Sequence, residues 1–340
     1  MLHFFAFALT YPLEGCTVVV MKSLEAATSI KIDSLYFLKA LCALFVVIIH
    51  SEMWGKETIE PIIRIAVPCF FAISGFFLYS EKQDVEFLRI YRWVKKVALI
   101  YLFVALFYGV FLYFYAGKTY TWKDVIISLV IGTTPAFHLW YLISLLQALI
   151  VVFLLKRFRV WSVWILFLVF ILEYMFRLCL SYKIIDNLYL GSWKPLWAVL
   201  LLGIGYYSSK YKTFLYSTKI LILILLISIS LQYNICCFSP DIARLLGMVC
   251  NMIIPVCLIS LCVKFQGFTL SYLTRIGKEH SANIYYFHVF VYLLLNKIIA
   301  ADIGCKFPLL TFIVSILFSE FLHFMLLLYK KFQRWSVQHL

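Results

Sequence analysis

Charge is what this sequence has least of: Asp, Glu, Lys and Arg make up 14% of its 340 residues, against 64% hydrophobic ones. Acidic charge is scarcest, with 16 carboxylates facing 30 Lys and Arg. A soluble domain of this length needs far more polar surface, so that class is excluded. The ten cysteines contain no Cys-x-x-Cys pair, and Cys236 and Cys237 are adjacent rather than spaced for a metal. Neither a metal site nor a disulfide framework is therefore expected. Cys42, Cys69, Cys179, Cys250, Cys257 and Cys262 fall in apolar stretches, where a thiol behaves as a small hydrophobe. No Pro-, Gly- or Ser-rich linker divides the chain and no internal repeat stands out, which leaves one domain. The first twenty residues have a short apolar run without a basic segment before it, a poor signal peptide. Met21, followed by Lys22, is the expected start, with residues 1–30 an extension outside the domain.

What is present is a series of apolar runs about 20 residues long, as bilayer-spanning helices require, within a mean hydropathy of +0.97. The pattern predicts an all-α, polytopic membrane protein with about ten transmembrane helices in a single bundle. The expected spans are 35–53, 60–80, 95–116, 137–155, 160–181, 193–208, 214–235, 241–263, 281–299 and 307–329. The segment from Tyr120 to Thr134 is less apolar and reads as a short helix at the outer surface. A net charge of +14 is not a sign of nucleic-acid binding here, because Lys and Arg concentrate in cytoplasmic loops and set orientation. With the N-terminus inside, 19 cations fall on inner segments and nine on outer loops and helix ends. Both termini are thus expected in the cytoplasm.

Ionisable groups inside apolar spans are costly and mark function by default. Lys39 and His50 are three helical turns apart, share one face to within about 20°, and lie about 16 Å apart along the axis. Asp33 marks the start of that helix. A single membrane histidine is ordinarily a packing residue, but Arg64 opens the next span just across a short loop. A cation beside an inward-facing imidazole suits an anionic transition state better than packing. Arg89 and Arg92 begin a basic loop with Lys95 and Lys96, readable as positive-inside anchoring or as a phosphate site. His138 and Trp140 open the fourth span, where an interfacial aromatic belt also accounts for Trp140. Ser281, Tyr285, His288 and Tyr292 form one polar stripe, either a lining or polar glue between helices. Glu173 and Glu320 lie within apolar helices, with Arg177 in reach of the first.

Taken in order, these residues resemble the acyltransferase 3 family of bacterial integral-membrane acyltransferases that modify cell-surface carbohydrates. The family's first helix carries an Arg, ten residues, then a His; here the pattern is Lys39, ten residues, His50, preceded by Asp33. Its Phe-x-x-Ser-Gly-Phe/Tyr segment is met by Phe71, Ser74, Gly75 and Phe76, led by Arg64 and Pro68. Its Arg-x-x-Arg pair is met by Arg89 and Arg92. His138-Leu-Trp140-Tyr-Leu is similar to its His-x-Trp-Phe/Tyr-Leu segment. Ile276-Gly277 through Ser281, Tyr285 and His288 resembles its penultimate helix. The departure is Lys39, which keeps the charge of Arg but lacks its planar fork. The resemblance implies a membrane domain over 31–334 with a cytoplasmic tail at 335–340, in the bacterial inner (cytoplasmic) membrane.

It also implies an O-acyltransferase that moves an acyl group, usually acetyl, from acyl-CoA to a hydroxyl of a carbohydrate acceptor such as a capsule, exopolysaccharide or O-antigen sugar. On that reading acetyl-CoA or another acyl-CoA is the donor and no metal takes part. His50, Arg64 and Lys39 are then the catalytic candidates, and Arg89 and Arg92 the cofactor-binding ones. Ser74, His138, Trp140, Tyr285 and His288 are the substrate-lining candidates. His50 serves either as general base, being neutral near pH 7, or as acyl carrier. Arg64 either stabilises the oxyanion or orients the acceptor. Two other classes share the polytopic pattern: a transporter or flippase for a lipid-linked glycan, and an accessory or sensor protein whose His and Arg only join helices. Transporters tend to show repeated halves with broken helices at matching positions, which this sequence does not. Reporter fusions test the charge argument: fusions after residue 88 and at the C-terminus score cytoplasmic, and an outward C-terminus overturns the even number of spans.

Overall fold

Ten long helices carry the chain back and forth in the computed structural model, which describes residues 32–133, 135–184, 193–267, 270–299 and 303–338. The expected extension at 1–30, with its start at Met21, lies outside the described residues. Seven helices are long and apolar enough to cross a bilayer. They are α2 (Lys56–Leu78), α3 (Gln83–Ala116), α5 (Phe137–Arg157), α6 (Val163–Ser181), α9 (Pro240–Lys264), α10 (Ser271–Ile299) and α12 (from Pro308). Three further helices of 17, 16 and 16 residues fill the remaining expected spans: α1 (Asp33–Ile49), α7 (Pro195–Lys210) and α8 (Thr218–Tyr233). Two short helices, α4 (Trp122–Val130) and α11 (Ile303–Lys306), lie between them. No strand occurs among the described residues. The chain is a polytopic all-α membrane protein.

The largest departure from the sequence reading is the start of α3. The predicted basic loop is helical: α3 begins at Gln83, and its 34 residues take in Arg89, Arg92, Lys95 and Lys96. Asp84 and Glu86 in its first turn complement the helix N-terminus, and Gly117 ends it in the left-handed conformation at φ 62°. Arg89 and Arg92 therefore sit three apart on one helical face rather than on a flexible segment. The surface helix expected between Tyr120 and Thr134 is α4, opened by a capping box in which Thr121 and Asp124 satisfy each other's backbone amides. At the far end, α12 extends to Gln338, so residues 335–338 are helical.

Apolar side chains on α6 and α8, including Trp164, Phe167 and Leu223, point outward, as a lipid-facing surface requires. The buried core gathers α1, α2, α3, α5, α7 and α10. Backbone-to-backbone crossings set its geometry. A Cβ placed on Gly75 would meet the Leu202 carbonyl oxygen at 1.9 Å, and one on Gly205 would meet that of Ala72 at the same distance. α2 and α7 thus touch through two reciprocal glycines, the small-residue packing that bilayer helices favour. The glycine after Ser74 is a packing device. Gly277 does the same between α10 and α1, where a Cβ would lie 1.7 Å from the Tyr36 carbonyl oxygen. It sits in a π-helical turn over Ile276–His280. These contacts join α2 to α7 and α10 to α1. Gly75→Ala must part α2 from α7, and it is expected to cost about 1–3 kcal/mol by overpacking. Thermal melting of the detergent-solubilised protein by size-exclusion recovery reads this as a lowered midpoint.

Candidate functional site

Three histidines far apart in sequence meet at one place. His50 is the C-cap of α1. The helix end beneath it is tied down by Lys56, whose Nζ donates to the carbonyls of Ile49 and Ser51, both at 2.8 Å. The Ser51 hydroxyl donates to Ile48 O, also at 2.8 Å. His138 stands in the 3-10 turn Phe137–Leu139 that opens α5. His288 lies on the inward face of α10. The His50 and His288 rings stack with centroids 5.3 Å apart and planes at 21°. His138 meets His288 edge-on at 5.2 Å. Phe137 closes on the other side of His50 at 4.9 Å. His138 and His288 are wholly buried and His50 half-buried.

Hydrogen bonds to main-chain carbonyls fix two of the three rings. His288 Nδ1 lies 2.9 Å from Tyr285 O and 3.1 Å from Ile284 O. A carbonyl only accepts, so Nδ1 carries the hydrogen, and in the neutral ring Nε2 holds the lone pair. His138 Nε2 donates to Tyr286 O at 3.2 Å, which leaves the lone pair of its neutral ring on Nδ1. Both lone-pair nitrogens, His138 Nδ1 and His288 Nε2, are buried with no hydrogen-bond partner among the described residues. The Tyr285 hydroxyl donates to His138 O, joining α10 to the start of α5. Tyr108 of α3 bridges both ends of one turn of α10: its hydroxyl donates to Tyr286 O at 2.9 Å and accepts from Phe290 N at 3.1 Å. Tyr141 packs on Tyr285 at 4.9 Å and on Phe71 at 4.5 Å, while the Ser74 hydroxyl donates to Phe70 O at 2.8 Å.

The structure thus brings His50, His138, Tyr285 and His288 together, while the Ser74 hydroxyl bonds back onto its own helix. Arg64 is not among them. It caps the first segment of α2, its side chain is 66% exposed, and Glu60 holds it at 2.6 Å. Trp140 faces a different neighbour, Lys194, whose Nζ lies 4.5 Å from its ring centre, a cation–π contact. Lys39 is half-buried in the N-terminal half of α1, with Nζ 5.9 Å from the Tyr36 ring and Lys96 of α3 near enough to act on it electrostatically. No carboxylate among the described residues pairs with Lys39. Arg89 donates to the carbonyls of Phe77 and Tyr79 at 2.9 and 2.8 Å, so it caps the C-terminal end of α2. Lys156 is engaged by buried Glu86 at 2.6 Å and by the Tyr206 hydroxyl at 2.7 Å.

Sequence reasoning missed Tyr108 and Lys56. A tyrosine in the apolar half of α3 is one aromatic among many, and only the position of α10 shows what its hydroxyl does. Lys56, seven residues past the last residue of α1, carries a detectable signal, since a cation near a helix end meets unsatisfied carbonyls. The polar stripe on α10 divides: Tyr285 and His288 join the site, while the Ser281 hydroxyl returns to Gly277 O at 2.6 Å. Glu173 and Glu320 are paired as the sequence suggests, the first with Arg177 at 2.8 Å and the second with Arg275 at 3.0 Å. No group of three or more His, Cys, Asp or Glu is arranged to hold a metal ion among the described residues.

A polytopic helical bundle with imidazoles buried at one level defines a class, the integral-membrane enzyme with its site between helices. The family model described as an acyltransferase domain, Acyl_transf_3, matches residues 32–328. The chain therefore belongs to the acyltransferase 3 family, and is a membrane acyltransferase. No curated protein and no solved structure matches it. His50→Ala removes one ring of the cluster without burying a charge. We expect insertion and yield to survive and acyl transfer to fall by about 10² or more, the scale of a lost general base or carrier. Full activity in a well-inserted His50→Ala protein overturns this placement of the site.

Proposed function

We propose that this protein transfers an acyl group, acetyl in the first instance, from acyl-CoA to a hydroxyl of a cell-surface or lipid-linked carbohydrate. The observation that carries the reading is the convergence of His50, His138 and His288, from three helices, into one buried cluster. Acyl transfer needs a base for the acceptor hydroxyl or a carrier for the acyl group, and neutral imidazoles supply either. His50 is the base or the carrier. By chain direction the cluster lies in the outer half of the bundle, where an acceptor on the far side of the membrane would meet it. Arg64, exposed where the first segment of α2 ends, suits orientation of that acceptor.

Donor binding belongs at the inner end. Arg92, Lys95 and Lys96 follow Arg89 on the first turns of α3, and Lys39 lies between them and His50, about 16 Å below it by helical rise. This line of cations offers charge-assisted contacts to the phosphates of CoA and leads its extended arm toward the imidazoles. Lys39 stands where the family carries Arg, so Lys39→Arg preserves function and Lys39→Ala does not. Membranes containing the protein, incubated with radiolabelled acetyl-CoA, test the reaction: label moves into glycan. A protein that moves the glycan but leaves it unlabelled is a transporter, and the reading fails. Arg89 also holds the end of α2, so Arg92→Gln is the cleaner test of donor binding. One charge-assisted contact is worth about 1.5–3 kcal/mol, so acetyl-CoA affinity is expected to fall about tenfold or more. Unchanged affinity returns Arg92 to a topology signal.

A further inference from the structure

His50 and His288 differ in a way that bears on which of them handles the proton. A general base is ordinarily held in one tautomer by a third group bound to its other nitrogen. His288 has such partners in the carbonyls of Ile284 and Tyr285. His50 has none: its ring makes stacking and edge contacts with His288 and Phe137 and no side-chain hydrogen bond among the described residues. The two carbonyls also stabilise an Nδ1–H that turns positive, as the ring must when Nε2 takes a proton. Because Nδ1 bonds back onto its own helix, Nε2 sits on the ring edge away from that helix. It is buried and unpartnered. An unmet buried acceptor is costly, and a structure retains one where a ligand supplies the missing donor.

We propose that His288, rather than His50, is the general base of the reaction, a role resting on the acyl-transfer reading above. The acceptor hydroxyl donates to His288 Nε2. Its O–H bond breaks as the proton passes to Nε2, and the oxygen forms a bond to the acyl carbon. The bond between that carbon and its carrier breaks, and the leaving atom takes the proton back from Nε2. The carrier is the sulfur of the thioester donor or the His50 ring. The ring becomes the carrier once one of its nitrogens has bonded to the acyl carbon, the C–S bond has broken and the departing sulfur has taken the ring's N–H proton to leave as the thiol. The two open roles of His50 thus reduce to one, holding the acyl group. The second unpartnered nitrogen, His138 Nδ1, lies in the adjoining ring, so the cluster presents two acceptors at one level. That suits an acceptor with more than one hydroxyl.

Two substitutions separate chemistry from packing. His288→Asn keeps a donor near the Nδ1 position for the carbonyls of Ile284 and Tyr285 and deletes Nε2. His288→Ala opens a space that free imidazole can enter. Membranes carrying each protein and the host's own glycan are incubated with radiolabelled acetyl-CoA, and acetyl-CoA binding is measured separately on purified protein. We expect transfer in His288→Asn to fall by about 10² or more with donor binding unchanged, and added imidazole to restore part of the activity of His288→Ala. Full transfer in His288→Asn overturns the assignment. So does a loss in His288→Ala that imidazole fails to relieve, which holds even if His288→Asn proves unstable. Wild-type protein that binds no acetyl-CoA and moves no label overturns the acyl-CoA reading instead, and this assignment with it.

Discussion

The carbonyl of Tyr286 is the acceptor on which the site depends. Inside a bilayer no water satisfies a stray polar group, so each side-chain donor must find a fixed partner. Tyr286 O accepts from Tyr108 of α3 and from His138 at the head of α5. Tyr108 then accepts from the amide of Phe290, so a side chain bridges both ends of the helical turn that holds His288. Hydroxyls and carbonyls inserted at a helical ladder are an established way to shape a membrane helix locally. Three helices are thereby registered against one another to within a hydrogen bond. The tautomer of His138 follows from the same contact.

This explains which parts were legible in the sequence. Span number and order follow from apolar length, because the bilayer imposes it, and the ten expected runs correspond to ten helices. Residue types were legible too: His50, His138 and His288 stand out because ionisable groups are rare in such runs. Their convergence was not, since it depends on crossings fixed by Gly75, Gly205 and Gly277, whose lack of a side chain carries no chemical signal. Polarity misled in two places. Four cations between residues 89 and 96 look like a loop, yet Lys and Arg are good helix formers, and two acids at the start supply the missing N-terminal charge. Arg64 looks like a partner for His50 because it is near in sequence, but one helical turn back it finds Glu60. An exposed i,i+4 pair of this kind is worth only a few tenths of a kcal/mol, so it fixes Arg64 weakly and leaves it able to turn toward a ligand.

The cations near the start of α1 and α3 and the end of α5 divide by what already holds them. Lys156 is taken up by Glu86 and Tyr206, in a pair so enclosed that losing one member would strand the other charge. Arg89 is engaged with carbonyls at the end of α2. Lys39 has an aromatic ring and a like charge near it, and among the described residues no carboxylate. A lysine in the middle of a membrane helix costs about 2.5–3.5 kcal/mol, less where its stem lets the head reach toward the interface. One charge-assisted contact to an anion returns about 1.5–3 kcal/mol. The two magnitudes nearly cancel, so a single anionic ligand suffices to make Lys39 tolerable where the helix alone would not keep it. The imidazoles at the other end carry no such cost, since neutral rings bury cheaply. A charged end that needs an anion, and a neutral end that needs a hydrogen-bond donor, are complementary to the two halves of the proposed acyl transfer.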